Sequence, residues 1–208
     1  EIILGFALLF IGLGWIEANV PDLQSSPEIF GFLTQYADMG YISVLVFVLI
    51  GIILTMVIQS SSAAIAIVLI MCTKGWITFD LACALILGSN IGTTIDAVLS
   101  SIGASTNAKR AAAVHVGFNI CGTIIAVICF NPFLSLVDLI VPGTPESNIT
   151  NHIAMLHTVF NICSTIIFLP FVNQIAALVS KLIKEPEAEQ NNHYKLPVLI
   201  SQSRQTVE

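Results

Sequence analysis

Long apolar runs, interrupted at only a few places by polar clusters, dominate the chain. Residues 41–72 carry no charge. At ~1.5 Å per residue a straight helix over this run would be about 50 Å long, whereas the hydrocarbon core of a bilayer is ~30 Å thick. The run must therefore break, and the polar cluster QSSS at residues 59–62 is where we predict the break.

A second polar cluster, GSNIGTT at residues 88–94, interrupts the apolar segment 79–102 in the same way. Irregular backbone persists inside a membrane only where protein buries it or water reaches it. We therefore predict broken or re-entrant helices at both clusters. Two uninterrupted spans are predicted beyond them, over residues 111–130 and 152–172, joined by an NPF motif and a polar turn.

The composition supports a membrane protein, because 56% of the residues are hydrophobic and only 10% are charged, against about 25% charged in soluble domains. We predict an all-α membrane protein with a helical bundle over residues 1–184 and a hydrophilic linker or tail over 185–208. Residues 2–16 are short for a span and 17–40 suggest an interfacial connector, so a piece of a longer protein is expected. The net charge of −6 gives no reason to expect a nucleic-acid partner.

Basic residues predict the orientation of the chain in the membrane. Lys109 and Arg110 precede one predicted span, and Lys181 and Lys184 follow the next. Two crossings separate the pairs, so both lie on one side, which the positive-inside rule makes cytoplasmic. We expect a multi-pass protein of a plasma membrane or bacterial inner membrane, with its tail in the cytoplasm and lipid around its spans.

The two clean spans contain an internal repeat. HVGFNICGTII at residues 115–125 and HTVFNICSTII at 157–167 match at His, at Phe-Asn-Ile-Cys and at Thr-Ile-Ile in the same spacing. His115 and His157 each lie four residues before an asparagine. We predict that both histidines make hydrogen bonds between helices.

The helix breaks could bind an anion. Ser60, Ser61 and Ser62 precede a new apolar run, where N-cap residues belong, and the free N–H groups of a helix start favour anions. Between residues 41 and 101 the only basic side chain is that of Lys74. An anion bound here would depend on hydroxyls, backbone N–H groups and accompanying cations.

Oxygen ligands for a sodium ion are also present. Gln59, Asn90 and the carbonyl groups of a broken helix supply hard oxygen atoms. Asp96 is the sole carboxylate between Asp80 and Asp138. An acidic residue inside a membrane is a functional candidate by default, so Asp96 is predicted to bind the cation. The alternative is that Asp96 lies close enough to the interface to be hydrated.

Three blocks of residues, in this order, resemble the type II sodium–phosphate cotransporters and their bacterial relatives: QSSSA at 59–63, LGSNIGTT at 87–94 and NAKRAAAVHVGFN at 107–119. In that family two inverted repeats each contribute a QSSS block to one central site. The resemblance implies that this chain holds the second repeat of an inverted-repeat transporter. The first repeat, with another QSSS block, would be missing, and the tail would lead toward a PhoU-like cytoplasmic domain.

The resemblance implies sodium-coupled transport of inorganic phosphate, a co-bound sodium ion and no enzymatic activity. The residues assigned to phosphate are Gln59, Ser60, Ser61, Ser62, Asn90 and Thr94. The residues assigned to sodium are Gln59, Ser60, Ser89, Asn90, Thr93 and Asp96. Asp96 stands where animal members have a threonine, a departure that leaves the coupling ions open.

Two other functions and a dimer fit the same residues. A membrane phosphate sensor that does not transport would use the same binding groups. An intramembrane serine hydrolase could combine a serine with His115 and Asp96, but the serines lack a G-x-S-x-G setting and His115 lies on another span. A homodimer of this chain would bring two QSSS blocks together and imitate the missing repeat.

Overall fold

The protein is all-α over the residues that its computed structural model describes, 2–19 and 35–186, and no strand occurs within them. Most of the predicted connector (20–34) and of the tail (187–208) lies outside the described residues. The helices are α1 (Ile2–Asn19), α2 (Tyr41–Ile58), α3 (Ser61–Thr73), α4 (Phe79–Gly92), α5 (Thr94–Ser101), α6 (Thr106–Ile128), α7 (Phe130–Ile140), α8 (Ile149–Phe168), the 3-10 turn Leu169–Phe171 and α9 (Val172–Leu182).

The described part of the chain contains four helical stretches that are long and apolar enough to cross a membrane. Two of them cover most of the spans that the sequence predicts at 111–130 and 152–172, but the first helix ends at Ile128 and the second changes to a 3-10 turn at Leu169–Phe171. The prediction of an all-α membrane protein is therefore confirmed. The four stretches are Tyr41–Ile58, Phe79–Ser101, Thr106–Ile128 and Ile149–Leu182.

Helices α2 and α4 pack with their backbones in direct contact. A methyl group on Gly88 would overlap the carbonyl oxygen of Val48, and one on Gly92 would lie 2.7 Å from the carbonyl oxygen of Ile52. Such close approach is possible because glycine has no side chain. Since the contacts advance from Val48–Gly88 to Ile52–Gly92, the two helices run parallel.

The parallel packing shows that α2 and α3 form a re-entrant hairpin. Only a short connection separates the end of α3 at Thr73 from the start of α4 at Phe79. Because α4 starts at the end of the bundle where α2 starts, α3 must bring the chain back to that end. The break that the sequence predicts at residues 59–62 is confirmed, and the structure confines it to Gln59 and Ser60.

The second predicted break, at residues 88–94, is wrong for residues 88–92. Helix α4 continues through Gly92, and only Thr93 separates it from α5, with φ −59° and ψ −25°, which are helical values. The backbone N–H of Thr93 donates to the carbonyl of Ser89 at 2.9 Å. The glycines of this cluster serve close packing against α2, so they do not open a turn.

Helix α4 lies at the centre of the bundle. It contacts α2, α3, α6 and α8, and its hydroxyl and carbonyl groups meet side chains from these neighbours. Thr123 on α6, for example, donates to the carbonyl of Leu87 at 3.2 Å. The fully buried apolar residues of α4 are Ala82, Cys83, Ala84, Ile86 and Leu87.

The connection between the two clean spans, predicted from the sequence as an NPF motif and a polar turn, contains an additional helix, α7. Pro132 of the NPF motif lies in its first turn, where a residue without an N–H group is tolerated. Leu134 and Val137 are buried on the side of α7 that packs against α8. The polar turn follows α7, and α8 begins at Ile149.

Candidate functional site

The hairpin break is built around a left-handed residue. Gln59 has φ +54° and ψ 29°, and its backbone N–H donates to the carbonyl of Thr55 at 2.8 Å. Gln59 is the only described residue other than glycine with a positive φ. A residue with a side chain in this conformation costs roughly 1–2 kcal/mol, and such strain persists where the surroundings enforce it.

The first serine of the cluster caps α3, as the sequence predicts. The Oγ atom of Ser60 accepts a hydrogen bond from the N–H of Ala63 at 3.3 Å and lies 3.2 Å from the Oγ atom of Ser62. Ser60 and Ser61 are half-buried, whereas Ser62 and Gln59 are exposed. The hydroxyls therefore cluster at the N-terminus of α3, where the helix dipole is positive.

A buried hydrogen bond connects the break to α4. The hydroxyl of Thr55 donates to the hydroxyl of Ser89 at 2.8 Å, and the two side chains are 1% and 3% exposed. Gln59 lies one helical turn after Thr55, since its N–H donates to the Thr55 carbonyl. The QSSS cluster and the SNIGTT residues are thereby held at neighbouring depths.

Asn90 carries an unused buried hydrogen-bond donor. The residue is 7% exposed, its Oδ1 atom lies 3.1 Å from Nε2 of His157 on α8, and its Nδ2 atom is buried without a partner among the described residues. Leaving a buried donor unpaired costs about 1–3 kcal/mol, so a bound ligand is a physical reason for such a group.

Of the remaining predicted ligands, the two threonines bond to the backbone through their hydroxyls, whereas the aspartate is exposed. The hydroxyls of Thr93 and Thr94 donate to the carbonyls of Ser89 at 2.8 Å and Ile91 at 2.7 Å, so they brace the α4–α5 junction. Thr94 is buried. Asp96, in the first turn of α5, is exposed. The structure thus places Ser89, Asn90 and Thr94 together in the interior and leaves Asp96 at the surface.

The segment that forms the break and its neighbours on α2, α3, α4 and α5 contains no arginine and only one lysine, Lys74. Lys74, the one basic residue between 41 and 101, lies at the far end of α3, with its Nζ atom 5.3 Å from the centre of the Trp76 ring. The donors that residues 41–101 offer to an anion at the break are therefore hydroxyls, amides and backbone N–H groups.

A separate acidic cavity of about 310 Å³ lies where α4 begins, lined by Asp80, Asp138 and Glu146 among others. A hydrogen bond from its own backbone N–H, and then one from the Thr144 hydroxyl, lower the pKa of Glu146. Nε2 of the fully buried His152 lies 3.7 Å from Oδ1 of Asp138. Even so, the described residues contain no group of three His, Cys, Asp or Glu side chains arranged to hold a metal ion.

The repeated HxxFN motif has one shared role and one difference. Asn119 and Asn161 each donate through Nδ2 to the carbonyl of the histidine four residues earlier, at 3.0 and 2.8 Å. The predicted interhelical hydrogen bond is confirmed for His157. It is wrong for His115, whose exposed side chain has no such bond in the described structure. Sequence reasoning missed that His157 meets the candidate site.

Comparison with known proteins matches residues 38–123 to the Na+/Pi-cotransporter family. Uncharacterized protein YqeW of Bacillus subtilis is 40% identical over 87 residues, which are 42% of this chain and 27% of that protein. The putative inorganic phosphate export protein YjbB of Salmonella typhimurium is 26% identical over 136 residues, 65% of this chain and 24% of YjbB. Human sodium-dependent phosphate transport protein 2C is 36% identical over 91 residues, 42% of this chain and 15% of that protein.

The chain spans about a quarter or less of the length of these relatives. No solved structure matches it. The matched residues include the hairpin break, the Thr55–Ser89 bond and Asn90, but they end before α8. The chain thus resembles the type II sodium–phosphate cotransporter family over the segment that builds its re-entrant hairpin and central helix.

Proposed function

We propose that this chain is part of a membrane transporter that moves inorganic phosphate together with sodium, with both ligands bound at the hairpin break and the adjoining residues of α4 and α5. The observation that carries the proposal is the bonded arrangement of Gln59, Thr55 and Ser89 beside the unused donor of Asn90. The arrangement lies within the segment that resembles the family.

The chemistry of this region suits a phosphate ion accompanied by cations. The hydroxyls of Ser60, Ser61 and Ser62, the first N–H groups of α3 and the Asn90 amide can donate to phosphate oxygens. Because residues 41–101 contain no basic side chain other than Lys74 at the far end of α3, bound sodium would balance the charge of a phosphate dianion in a low-dielectric site. Sodium would take hydroxyl and carbonyl oxygens near Thr93 and the carboxylate of Asp96.

The exposed polar residues near the break suggest that a second polypeptide surface covers them. Gln59, Ser62 and Asp96 are exposed, although they lie at or near the ends of apolar helices. Polar groups that face lipid are costly, so protein or a water-filled cavity must cover them. We propose a first repeat with its own QSSS block as the covering surface. A second copy of this chain would replace it when the chain is alone.

The proposal extends to the arrangement of the chain in the cell. The protein would lie in a plasma membrane or bacterial inner membrane, with Lys109, Arg110 and the C-terminal tail on the cytoplasmic side and a PhoU-like domain beyond the tail. Hydrolase activity is not proposed, because no hydrogen bond in the described structure joins His115 to Asp96 or to a serine of the break.

Uptake of radiolabelled phosphate into proteoliposomes, with the complete protein and an inward sodium gradient, tests the proposal. Ser60→Ala and Ser61→Ala should each raise the KM for phosphate about tenfold, because a hydrogen bond to a charged group contributes about 1.5–3 kcal/mol. Ser105→Ala is the matched control, since Ser105 caps α6 in the way that Ser60 caps α3, with its Oγ atom accepting from Ala108 N–H at 3.4 Å.

The outcomes separate the alternatives. Saturable uptake that is the same with potassium in place of sodium would overturn sodium coupling. Phosphate binding without flux would favour the sensor. If Ser60→Ala and Ser105→Ala changed the KM for phosphate equally, Ser60 would act only as a helix cap.

A further inference from the structure

The pairing of Asn90 with His157 decides which chemistry the Asn90 side chain offers to a ligand. An asparagine amide has one oxygen that accepts and one nitrogen that donates. His157 uses one of the two atoms, since its Nε2 lies 3.1 Å from Oδ1 of Asn90. The other atom, Nδ2, is buried without a protein partner in the described structure.

The direction of this hydrogen bond follows from the atoms involved. Oδ1 can only accept, so the imidazole must carry its proton on Nε2 to bond with it. The opposite tautomer, with the proton on Nδ1, would make Nε2 an acceptor and would turn the amide around. Asn90 would then expose its oxygen, a ligand for a cation, in place of its N–H groups.

We propose that His157 is a positioning residue that fixes the Asn90 amide with its Nδ2 group free to donate, so that Asn90 binds phosphate and does not ligate sodium. The inference rests on the proposed function and narrows it, because the sequence assigns Asn90 to both ligands. It also adds a residue from α8, which lies beyond the segment 38–123 that resembles the family.

The position of the pair agrees with this role. Asn90 follows Ser89, whose hydroxyl accepts from Thr55 at 2.8 Å, and Thr55 lies one turn before Gln59 at the break. His157 is half-buried and reaches α4 across 67 residues of sequence. The repeat supplies a matched contrast, because His115 has the same spacing to an asparagine but an exposed side chain outside the pair.

The ring tautomer provides a direct test that does not depend on transport. Nitrogen-15 NMR of the complete protein with labelled histidine, in lipid nanodiscs, would distinguish a protonated Nε2 from a bare one. The difference spectrum against His157→Gln identifies the His157 signals. We expect a proton on Nε2; a bare Nε2 with the proton on Nδ1 would overturn the inference.

Transport kinetics provide the second test. His157→Leu should raise the KM for phosphate about tenfold, the effect of losing one hydrogen bond to a charged ligand. The maximal rate, and the half-saturating sodium concentration measured at saturating phosphate, should stay unchanged. His157→Gln retains an amide N–H donor and should restore most of the affinity, while the control His115→Leu should behave as the unsubstituted protein.

Asn90→Asp guards against a general packing defect in His157→Leu. Aspartate keeps an oxygen for His157 to bond but replaces the free donor by a second oxygen, so phosphate affinity should fall further than in His157→Leu. If His157→Leu raised the half-saturating sodium concentration and left the KM for phosphate unchanged, Asn90 would be presenting its oxygen to sodium. If neither quantity changed in His157→Leu, the Asn90–His157 pair would only hold the two helices together. Lack of any phosphate uptake by the unsubstituted protein would instead defeat the proposed function, while the tautomer would still report how the amide is oriented.

Discussion

The hydroxyl of Thr55 on α2 donates to the hydroxyl of Ser89 on α4 at 2.8 Å, with both side chains buried. This bond joins the end of the re-entrant helix to the helix that carries Asn90. Because Gln59 begins the break one turn later, a change at Thr55 should be felt both in the stability of the bundle and at the candidate site.

Thr55→Val keeps the shape of the side chain and removes the donor. We expect the free energy of unfolding to fall by about 1 kcal/mol, the usual size of a hydrogen bond between membrane helices. Thermal unfolding of the complete protein in detergent measures the change. Thr158→Val is the control, since the Thr158 hydroxyl donates to Ala154 within its own helix on an exposed face; an equal loss in both variants would show that the bond between helices contributes nothing extra.

Gly88→Ala should separate α2 from α4. The added methyl group would overlap the Val48 carbonyl oxygen, and backbone cannot yield as a side chain does, so we expect a loss of about 3 kcal/mol in unfolding free energy, the upper end of the usual cost of overpacking. Gly117→Ala on α6 has no atom within 4 Å of the new methyl group and should be neutral or slightly stabilising. A well-folded Gly88→Ala protein would contradict the close parallel packing.

Gly88 and Gly92 also show why the second predicted break is limited to Thr93, whereas the first opens a hairpin. The QSSS break follows from length, because the uncharged run of residues 41–72 is too long for one straight span. The GSNIGTT cluster contains Gly88 and Gly92, and the sequence alone does not distinguish a glycine that allows a turn from one that allows two backbones to touch. Only the position of α2 against α4 decides between these uses.

The hydrogen bond between Asn90 and His157 could not be predicted from the sequence for a similar reason. The internal repeat drew attention to His115 and His157 equally, since both occur in HxxFN. Their different surroundings depend on how α8 crosses α4, a contact between residues 67 positions apart. The apolar runs predicted the helices themselves but not which faces meet.

Asp96→Asn should weaken the dependence of transport on sodium. Gly92 contacts Thr55, so Asp96 and Gln59, each one turn further along these parallel helices, lie at similar depths. A carboxylate there would repel phosphate unless a cation neutralises it, and phosphate and cation binding are then coupled reciprocally. We expect a higher half-saturating sodium concentration in phosphate uptake by the complete protein.

Asp38→Asn is the matched control for Asp96→Asn, because it removes an exposed carboxylate before α2, at the opposite end of that helix from the break. It should leave the sodium curve unchanged. Superimposable curves for Asp96→Asn and the unsubstituted protein would restrict the sodium ligands to Gln59, Ser60, Ser89 and Thr93.

Gln59→Gly should increase stability while it impairs transport. Gln59 holds φ +54°, which glycine adopts without the roughly 1–2 kcal/mol cost that a side chain incurs there. We therefore expect a gain of about 1 kcal/mol in unfolding free energy. The KM for phosphate, or the half-saturating sodium concentration, should rise because the amide that the proposal assigns to these ligands is gone.

Gly75→Ala measures, in the same protein, the free-energy cost of a side chain at a positive φ. Gly75 has φ +71° and nothing within 4 Å of an added methyl group, so its replacement should lose about the amount that Gln59→Gly gains. Gln59→Asn completes the comparison, because asparagine tolerates the left-handed conformation and retains an amide on a shorter side chain. If backbone strain at the break serves ligand binding, Gln59→Gly should be more stable than the unsubstituted protein and bind its ligands more weakly, and Gln59→Asn should have intermediate values of both. A Gln59→Gly protein that gains stability and transports normally would show that the Gln59 side chain has no part in the site.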